Sequence, residues 1–212
     1  MESAQQVEHQ NGKNIEVSYQ PTSGNLLLVD ITAFITLVQG CFEAVNNKIK
    51  RERVKELLSL QDWFLHYQDQ LTGRKVLSES QFIEHQHEID TAKMLANVDY
   101  DVLFAPQGLF KRTDKRFDIY LLREHIILKA DLKSITSKNP DTVANRIKGG
   151  SEQASRVVVN ICSDIDRKAL IDGLRSGVER NTLIKEVLLF YKSKYYRLPK
   201  DEILNKKIYK IL

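Results

Sequence analysis

The stretch that most constrains this chain is residues 117–133, FDIYLLREHIILKADLK. Two apolar runs, 117–122 and 126–132, flank a polar tip of Arg123, Glu124 and His125, which is the pattern of a β-hairpin. Its informative charges are Asp118, Asp131 and Lys133. A turn of two or four residues centred between Glu124 and His125 pairs positions whose numbers add to 249, and Asp118 with Asp131 is such a pair. Their Cβ atoms would then lie on one face, roughly 4.5–5.5 Å apart. Lys133 joins that face by the two-residue period of a strand. Like charges facing each other destabilise a sheet unless something offsets them. A divalent cation does so, with the Lys133 amine beside it. A three-residue tip shifts the register by one and sends the two aspartates to opposite faces. Glu-His is also a poor pair for a primed two-residue turn, and a half-exposed hairpin with unrelated surface charges would carry the same residues.

The chain has 212 residues, enough for one domain with an appendage or for two small domains. Its charge is unevenly spread. Residues 1–110 carry 9 Lys and Arg against 15 Asp and Glu, and residues 111–212 carry 23 against 13. The basic half suits a polyanionic partner; cations that merely solvate helix faces would give the same count. Cys41 and Cys162 sit far apart in apolar surroundings, which predicts buried, reduced thiols rather than a disulfide framework or a zinc site. No basic-then-apolar leader opens the sequence. The one membrane candidate, residues 26–42, is interrupted by Asp30, Thr32, Thr36 and Gln39 and reads as a buried helix. A cytoplasmic protein with no membrane partner is the expectation, or one delivered to a target-cell cytoplasm.

In chain order, residues 1–24 are polar and read as a flexible arm with one weak strand at 15–19. Residues 25–75 read as a helical extension: an apolar helix over 26–46 and an amphipathic one over 48–70, paired as a hairpin. Residues 76–212 form the third unit. A helix from 79 or 80 to 97, capped by Ser78 or Ser80, would place Ile83, His87, Thr91, Met94 and Leu95 on its apolar face. It also contains Glu84, His85, His87 and Glu88, but two histidines at i and i+2 do not share a helix face and make weak zinc ligands. A strand follows at 100–104, then the hairpin. Next comes a helix over 141–154 that Gly149 and Gly150 would strain or break, then a buried strand at 156–161. A helix over 164–176 with Asp at its cap, strands at 184–191 and 195–198, and a basic C-terminal helix complete an α/β fold around a mixed sheet.

In this order the segments HEIDTAKMLANVDYDVLF, FDIYLL, ADLKS and QASRVVVNI resemble the PD-(D/E)xK nuclease superfamily. More narrowly they resemble the C-terminal tRNA-nuclease toxin domains of bacterial contact-dependent growth inhibition proteins. The resemblance covers residues 82–191 and implies a restriction-endonuclease-like mixed sheet flanked by helices. It implies that Asp118 and Asp131 are metal ligands, with Glu88 completing or bracing the site. Lys133 would orient the attacking water or stabilise the phosphorane, and Gln153 stands at the position of an active-site glutamine in parts of the superfamily. Phe117 replaces the proline of the family's PD pair, and Asp99 the glycine before its conserved-type Tyr; neither change removes a reacting group.

Phosphodiester cleavage agrees with these residue types, because a hard cation polarises phosphate oxygens and acidifies a bound water. Carboxylates suit magnesium or manganese, with zinc a poorer fit. Lys111, Arg112, Lys115, Arg116, Lys138, Arg146, Lys148 and Arg156 would grip the RNA or DNA backbone. The reading that emerges is a metal-dependent endonuclease, RNA of tRNA type ahead of DNA, from a bacterial toxin or mobile element. Its helical extension would bind an immunity protein or a second copy. The competing reading is a non-catalytic nucleic-acid-binding or assembly component of a phage or mobile element on the same fold.

Overall fold

The computed structural model describes residues 6–7, 15–16, 64–79, 85–105, 116–123, 126–205 and 207–212. The helix expected over 26–46, the part of the second helix before residue 64, Cys41, Ile83, Glu84 and the tip residues Glu124 and His125 lie outside these residues.

Two short strands, β1 (Gln6–Val7) and β2 (Ile15–Glu16), pair antiparallel near the N-terminus. The first departure from expectation is at Phe64–Gln68 (β3), which pairs antiparallel with Lys75–Ser78 (β4) where the sequence period suggested a helix. Phe64 and Tyr67 fit a helical spacing, but aromatic residues also fit a pleated sheet. The local turn decides between them: Asp69 accepts from the backbone N–H groups of Leu71 and Thr72, and Gly73 takes φ +69° to send the chain back. With Ser78 in β4, the next helix starts late. It is α1 (Gln86–Asn97), with His85 at its cap in an extended conformation. Ile89, Thr91, Ala92, Leu95 and Ala96 form its buried face, and His87 is exposed rather than apolar-facing.

Strand β5 (Asp101–Phe104) leads to the hairpin of β6 (Ile119–Arg123) and β7 (Ile126–Ile135). The register runs from Arg123 opposite Ile126 to Ile119 opposite Ala130, so the tip is two residues long. Helix α2 (Pro140–Ser151) is capped by Asn139, whose side chain accepts from the Asp141 N–H at 2.8 Å. It runs through Gly149 and Gly150 without breaking. Strand β8 (Arg156–Ile161) precedes α3 (Arg167–Glu179), capped by Asp166. Strands β9 (Glu186–Tyr191) and β10 (Lys194–Pro199) join through Lys192 and Ser193, both at positive φ as a primed two-residue turn requires. The C-terminal segment is two short helices, α4 (Lys200–Leu204) and α5 (Ile208–Ile211), rather than one. No helix among the described residues is long and apolar enough to cross a membrane.

The protein is α/β, with an eight-stranded mixed sheet in the order β10-β9-β8-β7-β6-β5-β4-β3. Residues of β7 up to Ala130 pair antiparallel with β6, and from Asp131 onward they pair in parallel with β8. Alternation sends Ala130, Leu132 and Val158 into the core beneath α1, with Ile89, Leu95 and Tyr100. Ile135, Val157 and Val159 face the opposite core, with Val143 and Ile147 of α2 and Leu170 and Leu174 of α3. Cys162 follows the last residue of β8 and is exposed, because the chain has left the sheet there; the expectation of a buried thiol does not hold for it.

Candidate active site

Asp131 is the first residue of β7 to pair with β8, opposite Val157, and it is fully buried at 0% exposure. It therefore sits at a fork where the strand changes partners, from antiparallel pairing with β6 to parallel pairing with β8. Asp118 stands one residue before β6. Its N–H donates to the Ala130 carbonyl at 3.2 Å, and its Oδ2 accepts from the Leu132 N–H at 2.6 Å. The two-residue tip brings Asp118 across from Asp131. Lys133 lies two positions on, and its Nζ forms an ion pair with Asp131 Oδ2. That oxygen has no well-aligned hydrogen-bond donor, so Lys133 acts on it through charge rather than a directed bond.

The end of α2 closes over this pair. A Cβ on Gly150 would lie 2.7 Å from Asp131 Oδ2 and 2.9 Å from Val157 Cγ1, so only glycine admits a carboxylate there. Gln153 follows two residues after the helix. With its amide oriented to suit the oxygens around it, the nitrogen donates to Asp131 Oδ1 at 3.0 Å and to the Arg116 carbonyl. Gln153 thus aims the carboxyl that Lys133 charges.

From the other side, the first turn of α1 supplies Glu88. Burial raises its pKa, and the Asp118 carboxylate raises it further against the opposing pull of His85, His87 and Lys133. Asp131 is pushed up to about 7, first by burial and then by Asp118, with Lys133 opposing. The α1 turn is pinned: Asn160 of β8 donates to Thr91 Oγ1 at 3.1 Å, and Thr91 Oγ1 donates to the His87 carbonyl at 2.9 Å. His85, outside the helix, lays its ring on that of His87 with centroids 5.3 Å apart and 26° between planes. The i, i+2 argument against their meeting assumed both were helical, and the late helix start removes that assumption.

Asp118, Asp131, Lys133 and Gln153 therefore meet at the fork, while Glu88 lies on the α1 side of the sheet, near enough to feel the charge of Asp118. Among the described residues no three His, Cys, Asp or Glu side chains are gathered closely enough to form a ready metal cage. What suits a cation is the charge: two carboxylates facing each other across the hairpin, and a buried oxygen without an aligned donor on one of them. Such an all-oxygen set matches magnesium or manganese.

Of the basic residues singled out in sequence, Lys111, Arg112 and Lys115 lie outside the described residues. Arg116, Lys138, Arg146 and Lys148 are exposed, the last two on α2. Arg156 is engaged elsewhere: its Nε meets Glu186 Oε1 at 2.5 Å, while Arg197 holds Oε2 at 2.7 Å. Sequence reasoning did not single out Gly150, the Thr91–Asn160 link or the histidine stack; only the Gly-Gly pair, which a helix has no local reason to contain, signalled one of them. No protein-family model, curated protein or solved structure matches this chain.

Proposed function

We propose that this protein is a metal-dependent nuclease of the PD-(D/E)xK type on a restriction-endonuclease-like sheet. Its substrate would be nucleic acid, RNA of tRNA type ahead of DNA, in a bacterial toxin or mobile-element setting. The observation that carries this reading is the fork in β7, which presses Asp118 against a fully buried Asp131 with Lys133 on the same face. Burying the Asp131 carboxyl opposite a second, half-buried one costs several kcal/mol unless a cation or proton offsets it, so a fold has little reason to build the pair for stability alone. Asp118 and Asp131 would hold the ion, and Glu88 would complete or brace the set. Bound there, magnesium or manganese would polarise a phosphate oxygen and lower the pKa of a water. Lys133 places a cation where negative charge grows on the phosphorus centre. Gln153 fixes the Asp131 carboxyl, and the exposed cations of α2 hold the backbone of the substrate.

One observation favours the binding-only reading: Asp131 already has internal partners in Lys133 and Gln153, and no ready cage surrounds it. The test is cleavage of tRNA, single-stranded DNA and duplex DNA with magnesium, manganese or EDTA. Wild type should cut at least one substrate only with metal, and Asp131→Asn and Lys133→Ala should each lower the rate on the order of 10²-fold or more. A folded wild type that binds the panel but cuts nothing would establish the binding-only reading.

A further inference from the structure

The exposed imidazole stack stands next to Glu88 at the start of α1. A residue at a helix cap ordinarily turns its side chain back to the first-turn N–H groups. His85 makes no such bond; its ring lies on His87, and both rings are exposed. The backbone beneath His87 is tied to the sheet, since Thr91 donates to its carbonyl and accepts from Asn160 of β8. The stack adjoins the candidate site through Glu88, whose N–H donates to the His85 carbonyl at 3.0 Å.

An exposed aromatic stack next to a carboxylate of the proposed nuclease site fits a nucleobase, whose flat face stacks on histidine without regard to sequence. We propose that His85 and His87 form a base-stacking platform that selects single-stranded or looped nucleic acid at this site over intact duplex. A base within a duplex has both faces covered and can reach the platform only by leaving its stack. The inference rests on the nuclease reading for its setting and sharpens the substrate to unpaired segments.

The experiment is fluorescence anisotropy in EDTA, so that nothing is cut, with an unstructured RNA strand and the RNA duplex of the same sequence. The proteins are wild type, His85→Ala/His87→Ala and His85→Phe/His87→Phe. The alanine pair should bind the single strand roughly tenfold more weakly and the duplex unchanged. The phenylalanine pair, which keeps the flat faces and discards the ring nitrogens, should retain the single-strand preference. Equal weakening toward both probes, loss of the preference in the phenylalanine protein, or a wild type with no single-strand preference overturns the platform. Metal-dependent cutting is scored separately with Asp131→Asn, so a dead carboxylate site leaves this outcome readable, and an active one does not rescue it.

Discussion

Asp131 and Glu186 are both buried carboxylates, at 0% and 5% exposure, yet their surroundings push them in opposite directions. Burial alone would raise the pKa of Glu186, but the hydrogen bonds from Arg197 and Arg156 outweigh it and hold the carboxyl below its ordinary value. Asp131 has only one cation against burial and a second carboxylate, and it rises from 3.8 to about 7. A raised pKa means the folded state takes up the proton more readily than the unfolded chain. The stability this contributes is complete below about pH 4 and is lost as pH rises through about 7. Metal-free wild type should therefore weaken across that window in urea titrations, Asp131→Asn should flatten the slope, and magnesium should restore stability to wild type at pH 8 but not to the variant. The two glycines of α2 make a second pair of contrasts. Gly150→Ala should cost about 1–3 kcal/mol in denaturant unfolding and displace the Asp131 carboxyl, since the added Cβ lands 2.7 Å from it. Gly149→Ala meets nothing within 4 Å and should stabilise the helix by about 0.5–1 kcal/mol.

At the scale of elements, Glu186 acts as a clasp: it lies on β9 and holds Arg156 of β8 and Arg197 of β10, so three neighbouring strands are joined by one side chain. Glu186→Gln leaves a half-buried guanidinium without its counter-charge and should cost about 3 kcal/mol at neutral pH, with the loss shrinking as acid protonates the wild-type carboxyl. Whether an element was legible in the sequence depended on how local its cause is. The β6–β7 hairpin is written in residues 117–133 as two apolar runs around a polar tip. The length of the tip is not, because Glu-His suits a primed two-residue turn poorly and only the pairing fixes the register. The caps Asn139 and Asp166 are local too, although Asp164 and Asp166 compete within three residues and only the folded helix chooses. Strand β3 was illegible because Phe64 and Tyr67 satisfy both periods, and its pairing with β4 broke the tie. The start of α1 was hidden for a related reason, since Ser78 resembles a cap until β4 takes it into the sheet.

Across the fold, the sequence offered the candidate residues, but which of them lie together was not legible in it. Asp118 and Asp131 are joined by hairpin geometry, but Glu88 approaches them only because α1 packs on the far face of β7, the one away from the Asp131 side chain. Gln153 does so only because α2 returns over the fork with a glycine at its end. The partner change in β7 carries a consequence for timing. A chain made from its N-terminus can zip β7 onto β6 as soon as the hairpin is complete, yet residues from Asp131 onward stay unpaired on their other side until β8 arrives, and β8 in turn lies against β9. Whatever chemistry the carboxylates carry is withheld from the nascent chain, and comes into being only when the last strands lock, so the cell that makes this protein meets it finished or inert.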